Sequence, residues 1–157
     1  MKPTRLPVVA VTLIVAAALT WAVVRFWYTS LPLLPWTMVP SLLLLTLGEL
    51  YAAQVTRARI QRRPDTKPID PLVAARLAAL AKASAHAAAA LGGVFAGMAV
   101  YLASSLDKPS PRRDFFVSGG TALAAVALIV GALILEHACR VPKGPEDEDE
   151  NRPASRI

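Results

Sequence analysis

The chain has 157 residues, 55% of them hydrophobic and 18% charged, and a mean hydropathy of +0.46. A water-soluble domain of this size has no use for several long apolar runs, so these values put the chain among membrane proteins. A net charge of +6 would suit nucleic acid if the cations covered a folded polar surface, but they cluster beside apolar runs, where membrane orientation and anionic lipid account for them.

Lys2 and Arg5 precede an uncharged run from Leu6 to Val24. A secretory leader is the competing reading, because a basic start and the alanines 16–18 fit it loosely. The run of about 19 residues exceeds the roughly 7–15 of a leader's apolar core and continues into Trp21, Val23 and Phe26. A retained first span over about residues 6–28 is expected, its far end marked by Arg25, Trp27 and Tyr28, which suit an interface. Residues 29–35 (TSLPLLP) carry two prolines and predict a tight antiparallel hairpin into a second span over about residues 36–55. Pro40 falls in the first turns of that span, where a missing N–H costs little, and Glu49 falls roughly 10 Å inside its inner end.

The connection over residues 56–70 is basic. Arg57, Arg59, Arg62, Arg63 and Lys67 lie in it, and Pro64 and Pro68 interrupt any helix. The four arginines are candidate contacts for anionic lipid headgroups. Asp70 is a good N-cap and Pro71 a good first helical residue, and no proline follows until Pro109. A helix over residues 70–102 is roughly 45–50 Å long against a hydrocarbon slab of ~30 Å, so its first turns should project into the headgroups and residues 79–102 should span. Lys82, His86, Gly93 and Gly97 fall within about 60° of one another at ~100° per residue, and Ala89 shares their sector. Such a stripe predicts a helix–helix contact, with Gly93, Gly97 and Ala89 letting two backbones approach closely.

Residues 103–114 read as an outer loop and 115–138 as the fourth span, followed by Cys139, a filler at the span end. A lone cysteine excludes an internal disulfide and a multi-cysteine metal site. Residues 1–142 form the four-span membrane domain, and 143–157, with its EDEDE run, is expected to be a disordered acidic cytoplasmic tail. With both termini in the cytoplasm, thirteen of the seventeen Lys and Arg lie on the inner side, as the positive-inside rule asks. The expected fold is therefore an all-α, four-helix antiparallel transmembrane bundle in a bacterial cytoplasmic membrane.

Charged groups inside a bilayer are costly and face a partner. Glu49 is expected to face Lys82 and His86, either as a register-fixing ion pair or as part of a proton or ion relay, the remaining alternative being that it snorkels to the headgroups without a partner; Glu136 has Arg140 one turn later as its own partner. No phosphate loop, metal spacing or nucleophile elbow is present, so neither catalytic residues nor a cofactor or metal is expected.

The run Arg57-Ala58-Arg59-Ile60, then Arg62-Arg63-Pro64, then Pro68 through Arg76 and Ala81-Lys82-Ala83-Ser84-Ala85 resembles the central signature of an actinobacterial domain-of-unknown-function family (3180) of small four-span integral membrane proteins. The end of the fourth span, Leu135-Glu136-His137-Ala138-Cys139-Arg140, is similar to that family's as well, and the likeness covers nearly the whole chain. It implies a membrane protein often encoded near folate-biosynthesis genes, and it brings no catalytic residue, cofactor or substrate. The expected role is a non-enzymatic accessory or scaffolding subunit that contacts anionic lipid and another membrane protein or a second copy, with no nucleic-acid partner. The alternative is a small homo-oligomeric transporter or ion-coupled permease using Glu49, Lys82 and His86.

Overall fold

The computed structural model describes residues 5–27, 34–60 and 71–139. The helices are α1 (Leu6–Trp27), α2 (Met38–Ile60), α3 (Pro71–Leu102) and α4 (Pro109–Ala138), with a 3-10 turn at Ala103–Ser105 after α3. All four are long and apolar enough to cross a membrane. The N-cap assigned to Asp70, the remainder of the basic connection over 61–70 and the tail over 143–157 lie outside the described residues.

Prolines punctuate these helices in one consistent way. Pro7, Pro40, Pro71, Pro109 and Pro111 all stand in the first turn of a helix, where an N–H has no intrahelical acceptor to lose. This corrects the expected loop over residues 103–114. α4 begins at Pro109 instead of near Phe115, and the reversal after α3 shrinks to Leu106–Lys108. Lys108 is extended, at φ −98° and ψ 139°, the conformation a residue before proline prefers.

The helices pack in the order α1–α3–α4–α2. α3 and α4 run antiparallel: Ala81 clusters with Leu135 and Ala138, Gly92 faces Ala125, and Leu102 shares a cluster with Phe115. α1 lies parallel to α3, since Gly93 meets Leu13 and Ala16 while Gly97 meets Ala17. α2 lies parallel to α4, with Val39 near Gly120 and Thr46 near Gly131. The start of α1, the start of α3 and the end of α4 therefore share one face of the molecule, called here the near face; Trp27, Leu102 and Pro109 lie at the far face.

The tight α1–α2 hairpin expected from the two prolines is not the arrangement found. α1 packs on α3 and α2 on α4, and the two sequence neighbours share no extended contact. The reason lies in surface shape. The close approaches are made elsewhere: Gly93 and Gly97 of α3 admit the α1 backbone, and Gly131 of α4 admits Thr46 of α2. The segment between Trp27 and Met38 has ten residues, which reach about 33–36 Å when extended, ample to join helices that are not adjacent.

The contact between α1 and α3 is made by backbone. A Cβ on Gly93 would fall against the Leu13 carbonyl oxygen and 2.7 Å from the Ala16 Cβ; one on Gly97 would fall against the Ala17 carbonyl oxygen and 2.9 Å from its carbonyl carbon. Gly93→Ala and Gly97→Ala are each expected to lower stability in mild detergent by about 1–3 kcal/mol, the usual cost of overpacking. Gly119→Ala, where a Cβ meets nothing within 4 Å, is expected to be neutral or mildly stabilising. Thermal midpoints of the three variants check this, and equal midpoints for Gly97→Ala and Gly119→Ala would contradict the packing.

Candidate functional site

α2 carries one acid, Glu49, and it is buried. Thr46, Glu49, Ala53 and Thr56 are spaced 3, 4 and 3 residues apart, the period of one helix face, and all four are buried. That face turns toward α4, where Gly131 leaves room: a Cβ there would lie 3.3 Å from the Thr46 methyl and 3.7 Å from a Glu49 carboxylate oxygen. Glu49 is only 4% exposed. Neither of its carboxylate oxygens has a hydrogen-bond partner, and Ser84 of α3 approaches without closing a hydrogen bond.

This arrangement does not bring Glu49 to Lys82 and His86 as the sequence predicts. Ser84, two residues after Lys82, is roughly 160° away from it around the helix at ~100° per residue, and α2 lies on the Ser84 side. Lys82 and His86 belong to the opposite side of α3, the side that meets α1 further along. Gly93 and Gly97 match Leu13 and Ala17, so His86 is level with the first residue of α1 and Lys82 lies before it starts. Lys82 is exposed for that reason, and His86 is half-buried with its Nδ1 2.8 Å from the Lys82 carbonyl oxygen of its own helix.

The remaining predicted residues fall as follows. Gly93 and Gly97 meet the α1 backbone, and Ala89, fully buried, clusters with Val9 of α1 and with Leu128 and Ile129 of α4. Glu136 is half-buried at the near end of α4, while Arg140 lies outside the described residues. Arg57 is exposed at the near end of α2, and Arg62 and Arg63 lie outside the described residues; Arg59 is in the last turn of α2.

Several polar positions escape a reading of single helices. Asp114, Ser118 and Thr121, spaced four and three apart, form a buried stripe toward the far end of α4, although residue 114 reads as loop from sequence. The hydroxyls are satisfied within their own helices: Ser118 donates to the Phe115 carbonyl at 3.1 Å, Thr121 to Val117 at 2.7 Å and Thr46 to Leu42 at 2.8 Å. Gly131 and Ser84 gain meaning only from what faces them. The spacing of Thr46, Glu49 and Thr56 was the one signal in the letters for the α2 face. No group of three or more His, Cys, Asp or Glu among the described residues could hold a metal ion.

A layer of four helices long and apolar enough to cross a membrane, with two buried acids among the described residues, Glu49 and Asp114, defines a small multi-pass membrane protein. The chain belongs to the family described as "Protein of unknown function (DUF3180)", which matches it over residues 9–143. Comparison with curated proteins and with solved structures found no match.

Since Glu49 has no cationic partner among the described residues, Glu49→Gln and Glu49→Met are expected to leave the thermal midpoint in detergent unchanged or raised. Breaking an ion pair would instead cost about 3–5 kcal/mol, so a large drop in both variants would restore the paired reading. At the end of α4, burial pushes the Cys139 thiol above its ordinary value. Maleimide labelling of Cys139 is therefore expected to be slow at neutral pH and to keep accelerating past the ordinary thiol pKa of about 8.5.

Proposed function

We propose that this protein is a non-enzymatic accessory or scaffolding subunit of a membrane complex, resident in a bacterial (by its resemblance, actinobacterial) cytoplasmic membrane with its near face in the cytoplasm. The observation that carries the reading is the start of α3, which runs past the last turn of α4 with apolar side chains exposed on it. Ala81 packs against Leu135 and Ala138, the last turn of α4. The ten residues Pro71–Leu80 therefore run on past the end of α4 by about 15 Å at 1.5 Å per residue. On that extension Leu72 is 57% exposed, Val73 43% and Leu80 55%.

Apolar side chains facing lipid need no explanation, but these three lie beyond the end of α4, where the slab gives way to headgroups and water. A projecting helix carrying leucine and valine beside the exposed Arg76 suits an apolar, acid-rimmed groove on another membrane protein. The interior supports the same reading. Ala81, Ala85, Ala88, Ala125, Ala132 and Leu135 are all at most 1% exposed, so the near half of the α3–α4 seam is close-packed and apolar, with the polar residues Asp114, Ser118 and Thr121 confined to the far end of α4. A transport pathway needs polar groups or water there.

A second reading, a small homo-oligomeric transporter or ion-coupled permease, is favoured by one observation: the buried Glu49 carboxylate with both oxygens unpartnered. Lys82 and His86 drop out of that reading because they stand on the other side of α3.

A photo-crosslinking residue placed at Leu72 or Leu80 in the native membrane is expected to yield one discrete heterologous adduct. Leu72→Ser with Leu80→Ser is expected to cut recovery of that partner at least about tenfold, a loss of ~1.4 kcal/mol, without moving the thermal midpoint. Adducts only with lipid would overturn the subunit reading. Flux in proteoliposomes of the protein alone, abolished by Glu49→Gln, would establish the transporter in its place.

A further inference from the structure

At the far face, the reversal between α3 and α4 forms a cavity of about 380 Å³. Lys108, Arg112 and Arg113 line it with a single acid, Asp107, and so do Leu106 and Phe116. All three cations are exposed, and none of them makes an ion pair among the described residues. Leu106 is 40% exposed and Phe116 65%.

Three features of this cavity point the same way. Cations on the near side are explained by topology, but the positive-inside rule works against cations at the opposite face. These three are there nonetheless, gathered on one cavity and in excess over its one acid, Asp107. The helix terminus contributes little to them: Pro109 and Pro111 have no N–H, and the Arg112 N–H already donates to the Lys108 carbonyl at 3.1 Å. Recognition is left to the side chains, and two arginines one residue apart with a lysine beside them suit a phosphate oxygen set. The apolar residues complete the case. Phe116 lies one turn further into α4 than Arg112, toward the slab, so the cavity presents charge on the water side and an exposed ring on the lipid side.

We infer that this cavity is a binding site for the phosphate headgroup of an anionic phospholipid, held by Lys108, Arg112 and Arg113 with the proximal acyl carbons against Phe116 and Leu106. A soluble phosphate ester has the anion but no use for the apolar side; a phospholipid at this depth has both. Arg57 and Arg59 lie in the last turns of α2, at the other end of the helices, so the two basic regions can be tested apart.

The test uses the full chain in nanodiscs with a phosphatidylglycerol carrying a photoreactive group close to the headgroup, and adducts mapped by peptide mass spectrometry. Adducts are expected to concentrate on residues 106–116, with labelling there falling about fivefold for each cation removed in Lys108→Ala, Arg112→Ala and Arg113→Ala. Near-face labelling should stay unchanged in the same variants, which also reports that they are folded. Lys108→Arg with Arg113→Lys should retain labelling. The phosphatidylcholine analogue should label this segment no more than the rest of the far face. Equal labelling by the two lipids, or labelling indifferent to the three substitutions, overturns the inference. Full competition by millimolar glycerol 3-phosphate would also overturn it, by assigning the cavity to a soluble phosphate ester.

Discussion

Apolar side chains gain nothing by leaving lipid for protein, so helices in a bilayer hold together where their backbones come close enough for dispersion and weak polar contacts to add up. Everything else in this molecule depends on where such approach is possible. α3 supplies it on two sides at once. Gly93 and Gly97 admit the Leu13 and Ala17 carbonyls of α1, while Gly92, one residue away, turns to α4, where a Cβ would stand 3.1 Å from that of Ala125. α4 repeats the device on its far side, with Gly131 receiving Thr46 of α2. The order α1–α3–α4–α2 follows from that distribution of small residues, with the two helices that carry several glycines at the centre.

The same geometry governs the polar groups. A hydroxyl in the slab can borrow the carbonyl of its own helix, and Thr46, Ser118 and Thr121 all do so, at no cost to packing. A carboxylate cannot, because it is an acceptor and the intrahelical amides are already engaged. Glu49 is thus, among the described residues, the buried acid with both carboxylate oxygens unpartnered, and Gly131 leaves open the space beside it. A buried acid is costly wherever it stands unpaired. It is the part of the interior least explained by stability, which is why the transport reading survives beside the subunit reading.

The two ends of the helices differ in kind. At the near face α3 outruns α4 and carries bare leucines into the interface, a surface suited to another protein. At the far face the chain turns over in three residues and leaves a basic, half-apolar cavity, suited to a small anionic headgroup. The helix lengths produce both: α3 and α4 are 32 and 30 residues, each longer than a slab of ~30 Å requires, but displaced relative to one another along the membrane normal. The excess of α3 emerges on one side and that of α4 on the other.

By itself the sequence determined four helices, their approximate limits and the Gly93–Gly97 face, because hydropathy, proline position and helical period are local properties of a chain. It could not determine which helix would lie against which. Two prolines between α1 and α2 predict neighbours, yet adjacency in a bilayer is decided by matching small surfaces, a property of pairs of helices. The same distinction explains Glu49: its burial was legible from its place in an apolar run, but its companions were not. Lys82 and Ser84 are two letters apart and on nearly opposite sides of α3, and only the position of α2 decided that the carboxylate would approach the hydroxyl and leave the ammonium outside.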